Sequence, residues 1–170
     1  HHVAAGLMTA WLLAATMNLL GQDTEAEAVP ARTWRAALWL GLASGSAILI
    51  WPGCLIHVAL VDLALVVHLL LSPTSRGGSS GAGADPANPA GRQAVKRARL
   101  YSLASATALV IVFPASWGNE WERWGSLSPL VLSDFQPLWF GAAALSFGAL
   151  GEIWRRRSFP ASIVERIMHA

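Results

Sequence analysis

Residues 54–71 read CLIHVALVDLALVVHLLL, an apolar run broken only by His57, Asp62 and His68. A helix needs about 17 to 25 mostly apolar residues to cross a bilayer, and this stretch supplies them. It is apolar all round, as expected of a helix set in hydrocarbon. Pro52-Gly53 directly precedes it, and Trp34 to Trp51 forms a second apolar run before that. Pro and Gly break helices most strongly, so the two runs are expected to form a tight hairpin.

Outward from this hairpin, Val3 to Leu20, Leu100 to Trp117 and Leu138 to Trp154 have the same length and character. The expected fold is all-α: a polytopic membrane helical bundle of five transmembrane helices, forming a single domain over residues 1–170. Composition agrees. The chain is 54% hydrophobic and 13% charged, whereas soluble domains are about a quarter charged.

Five spans divide the loops between two sides of the membrane. Arg32, Arg35, Arg76, Arg92, Lys96, Arg97, Arg99, Arg155, Arg156, Arg157 and Arg166 fall on one side, and only Arg123 on the other. Lys and Arg concentrate in cytoplasmic loops, so the N-terminus is expected outside and the C-terminus inside. Trp34 and Trp154 then mark inner ends, and Trp51, Trp117 and Trp139 outer ends, where indole favours the headgroup level. Trp11 and Trp39 lie deeper and are expected to pack between helices. Gly41 with Gly45, and Ala144 with Gly148, offer small faces for close helix contact.

Two loops have distinct characters. Residues 72–91 are rich in Gly, Ser, Ala and Pro and read as a flexible cytoplasmic linker. Their glycines lack the spacing of a phosphate loop. Arg92, Lys96, Arg97 and Arg99 follow, just before a span, where basic side chains meet anionic headgroups. The outer stretch 118–137 is Trp-rich. Trp117, Trp121 and Trp124 share one helical face and read as a lipid or ligand surface lying in the interface. Glu120, Glu122 and Asp134 are the candidate acid–base groups there.

Ionisable side chains inside a span are costly and point to function. His57, Asp62 and His68 are therefore the transport or proton-relay candidates. His57 and His68 are about 16 Å apart along the axis, too far to share one metal ion. Asp62 lies about 120–140° around the helix from both, so each group requires a partner on another helix. Asn18, Thr16, Thr107, Ser102, Ser105 and Ser146 are the candidates. Haem is not expected, because the other spans offer no interior His. A metal site from His1, His2, Cys54 and His57 depends on His1 and His2 being native rather than tag residues. No metal or cofactor is assigned. Glu152 is expected to pair locally with Arg155 or Arg156.

The lone cysteine, Cys54, excludes an internal disulfide. No basic surface extends beyond the membrane face, which argues against nucleic acid as a partner. The chain starts His1-His2 without a signal-peptide pattern, and is expected to be a piece of a longer protein. The leading functional expectation is a membrane domain or small subunit with a scaffolding role. Its partners are membrane lipid and other subunits or copies of itself. A transporter or proton pathway element using the third span is one alternative. Part of an enzyme acting on a lipid-linked substrate at the outer face is the other.

Overall fold

The computed structural model describes residues 2–22, 30–71, 89–117 and 127–156. Most of these residues are helical, and there is no strand among them. The helices are α1 (His2–Gln22), α2 (Pro30–Ile50), α3 (Leu55–Leu71), α4 (Pro89–Ser116) and α5 (Phe135–Arg156). Each apolar run of the sequence corresponds to one helix, with Trp51, Cys54 and Trp117 falling just outside α2, α3 and α4. α1, α2, α4 and α5 begin before their runs, because the flanking residues continue the same backbone pattern outside the apolar stretch. α4 is the clearest case. It starts at Pro89, so the last residues of the expected linker are helical, and its 28 residues span about 42 Å. Pro30 and Pro89 open α2 and α4, where the missing N–H costs nothing because the first turn leaves it unpaired.

α1 to α4 are long and apolar enough to cross a membrane. α5 falls short on apolarity, since Gln136, Pro137, Glu152 and its glycines dilute the run. Large apolar side chains are exposed on every helix. They include Leu7 and Met17 on α1, Leu60 on α3, Val110 on α4 and Leu145 on α5. An all-helical bundle with an apolar exterior fits a membrane protein, because hydrocarbon rather than water satisfies that surface.

The turn between α2 and α3 is a single 3-10 turn, Pro52–Cys54. Trp51 is extended, and the Cys54 N–H donates to its carbonyl at 2.8 Å. A side chain at position 53 would meet the Trp51 indole at 2.7 Å, so the turn needs glycine there. Cys54 itself is buried.

α2 and α4 form the middle of the bundle. Of the apolar window of α2, 56% is buried, against 22% for α1. α4 packs most extensively on α5, then on α2, while α1 packs on α2. Small residues set these spacings. A Cβ at Gly41 would lie 2.6 Å from Thr107 Cβ, and one at Gly45 would lie 2.9 Å from Ile111 Cβ. Gly148 faces Ser102, and Gly151 faces Ala98. Ser102 Oγ donates to the Ala144 carbonyl at 2.8 Å, tying α4 to α5. Trp11 and Trp39 meet edge to face at 6.3 Å between α1 and α2, although Trp39 keeps half its surface exposed.

Candidate functional site

α3 turns Val58, Val61, Leu65 and Leu69 inward and Ile56, Leu60, Leu63 and Leu70 outward. Asp62 follows Val61 directly and lies beside the inward face, half-buried. Its carboxylate reaches α5, where Trp139 Nε1 donates to Asp62 Oδ2 at 2.9 Å. Asp62 Oδ1 has no hydrogen-bond partner among the described residues. Asp62 borders a cavity of about 10 Å³, close to the space one water molecule needs.

Four helices line this cavity. α2 contributes Leu40 and Ser44, α3 Asp62 and Leu65, α4 Ser105 and α5 Phe140. The glycine contacts explain the arrangement. Gly41 and Gly45 bring α2 against α4, which places Ser44 and Ser105 on either side of the gap that Asp62 faces. Both serines are buried. Ser44 Oγ donates to the Leu40 carbonyl at 2.9 Å, and Ser105 Oγ to the Tyr101 carbonyl at 3.1 Å. Each hydroxyl proton is thus directed at backbone, and the oxygen lone pairs remain for the cavity. One turn away, Tyr101 stacks edge to face on Phe147 at 5.6 Å and closes the core below the site.

The sequence singled out Asp62, but the candidate partners it offered do not include the one the structure shows. Thr16 and Thr107, like Ser105, donate to carbonyls one turn back, at 2.8 Å each for the two threonines. Ser102 binds α5 backbone, and Ser146 is exposed. The partner is Trp139, which position alone assigned to the outer aromatic belt. Helical spacing carries no information about which residue of another helix comes within reach.

The other candidates scatter. His57 and His68 are both half-buried and sit in different turns of α3 from Asp62. His57 Nδ1 is buried without a hydrogen-bond partner among the described residues. No group of three His, Cys, Asp or Glu side chains converges among the described residues. Glu120, Glu122, Trp121 and Trp124 lie outside the described residues. Trp117 is 76% exposed and packs edge to face on Phe113 at 5.4 Å. Asp134 is exposed, and its carbonyl accepts the Leu138 N–H at 3.2 Å as α5 begins.

Arg92, Lys96 and Arg99 are exposed on α4, as a headgroup-facing stripe requires. Arg97 departs from that expectation. It is buried at 9% exposure, because it sits beside Ala98 on the side of α4 that faces the bundle. Glu152 pairs with Arg155, whose Nε donates to Glu152 Oε2 at 2.8 Å.

One structural group escaped sequence reasoning altogether. Gln136 is fully buried at the start of α5. Its Oε1 accepts the Ser133 N–H at 2.8 Å, and its Nε2 donates to the Val131 carbonyl at 2.7 Å. Ser133 Oγ in turn donates to the Ser128 carbonyl at 2.8 Å. This knot ties residues 128–136 together just before Trp139. Compared with protein-family models, curated proteins and solved structures, the chain finds no match.

Proposed function

We propose that the chain is a five-span membrane domain, N-terminus outside and C-terminus in the cytoplasm, that serves as an assembling part of a larger membrane complex. The observation that carries this reading is the apolar exterior, which continues onto α5. Leu138 and Leu145 are 60% and 76% exposed there, matching the outward faces of the four more apolar helices. The eleven-to-one division of Lys and Arg supports the orientation. Partners of this reading are membrane lipid and other subunits, or further copies of the chain.

Cysteine mapping tests it. On a Cys54→Ala background, Ser79→Cys is expected to react with an impermeant maleimide only after the membrane is opened. Ser126→Cys is expected to react from outside in intact cells. The opposite pattern overturns the orientation, and labelling of both from one side removes the crossing of α4 and with it the five-span topology.

A second reading is favoured by the Asp62 junction: an element of a proton or ion pathway. An intramembrane carboxylate beside a water-sized cavity is the kind of group such pathways use. Asp62→Asn keeps size and shape while removing the charge. In vesicles reconstituted with the protein, the variant is expected to fold and to lose proton or cation flux. Undiminished flux through folded Asp62→Asn protein ends this reading.

A further inference from the structure

We propose that the cavity between α2, α3 and α4 binds one small monovalent cation of sodium's size, held by Asp62 Oδ1, Ser44 Oγ and Ser105 Oγ. This rests on the pathway reading of Asp62 and names its ligand.

The polarity of the lining selects a cation. Trp139 occupies Oδ2 with its N–H, and Asp62 lines the cavity, so Oδ1 is the carboxylate oxygen left to bind an ion there. Ser44 and Ser105 direct their protons to backbone carbonyls. The three polar groups around the gap therefore present oxygen lone pairs, a lining that repels anions. All-oxygen sites suit hard cations, and imidazole and thiolate, which suit softer metals, are absent from the lining.

Charge selects the valence. The lining carries one carboxylate and no other titratable or charged group: α2 presents Leu40 and Ser44, α4 Ser105 with two alanines, and α5 Phe140. A monovalent ion neutralises the half-buried carboxylate, whereas a divalent ion leaves a net charge among apolar side chains. Size selects the occupant further. The cavity of about 10 Å³ admits one water-sized particle.

The experiment is thermal unfolding of the full chain in detergent, in sodium chloride against choline chloride at matched ionic strength. A ligand that binds only the folded state raises the midpoint with concentration. Sodium is expected to raise it saturably, and choline is expected not to. Protons compete for Oδ1, so on the acid side the half-saturating sodium concentration is expected to rise by up to about tenfold per pH unit. Asp62→Asn is expected to abolish the sodium effect. If that variant does not fold, Ser44→Ala combined with Ser105→Ala is expected to raise the half-saturating concentration about tenfold or more.

A midpoint that is the same in sodium and choline at every pH overturns the proposal. So does a sodium effect that survives in folded Asp62→Asn protein, or one unchanged by the double serine substitution. A sodium-dependent midpoint without flux in vesicles upholds the site and retires the pathway. Flux with a sodium-independent midpoint retires the site and upholds the pathway.

Discussion

Asp62 and Trp139 are 77 positions apart, and one hydrogen bond joins them. Within a bilayer such bonds contribute about 0.6–2 kcal/mol, since water does not compete for either partner but the unfolded helices find other partners. Trp139→Phe keeps the ring and removes the donor. It is expected to lower stability by about 1 kcal/mol in denaturant titration of detergent-solubilised protein. In an Asp62→Ala background the same substitution is expected to cost almost nothing, because its acceptor is already gone. An equal cost in both backgrounds would show that the ring's packing, not the bond, matters. Asp62 was legible as a candidate because a charge in an apolar run stands out. Trp139 was not, because indole at a span end has an ordinary interfacial explanation that its position satisfies equally well.

Helix pairs in this bundle depend on missing side chains. Under the proposed membrane reading, where water drives no association between helices, α2 and α4 gain their contact from close packing over Gly41 and Gly45. Gly45→Leu puts a side chain where Ile111 already stands, with Cβ at 2.9 Å before any larger group is added. Overpacking of this kind typically costs about 1–3 kcal/mol. The substitution is expected to lower the unfolding midpoint and, by moving Ser44 from Ser105, to weaken any ion effect at Asp62. Gly6→Ala is the control: nothing lies within 4 Å of a Cβ there, so the midpoint is expected to stay or to rise slightly. The spacing of Gly41 and Gly45 marked a close-contact face in the sequence. The identity of α4 as the helix received by it was decided by tertiary packing. The same limit applies to Arg97, which shares its run with exposed basic residues but faces inward.

At the scale of the molecule, the outward surface and the charge distribution act together. Three exposed cations of the α4 extension, Arg92, Lys96 and Arg99, belong to the basic side. Replacing all three with Gln leaves eight Lys and Arg residues against one, so the bias still points the same way. The labelling pattern of Ser79→Cys and Ser126→Cys is expected to be unchanged in that triple variant. Its affinity for vesicles containing anionic lipid is expected to fall, at about 1 kcal/mol per charge removed near the surface. Inverted labelling would mean that these three charges, rather than the whole distribution, set the orientation.

The sequence by itself determined that this protein is helical, where its apolar helices lie, and that α3 carries a charge in costly surroundings. These are local properties: hydrophobic run length and helix-breaking residues act along the chain and need no partner. Only the tertiary structure decided what Asp62 meets. Its indole donor, its flanking serines and the small cavity come from three other helices, and their convergence depends on which small faces pack together. That choice is made by side-chain shape across the bundle, which no spacing within a single helix records.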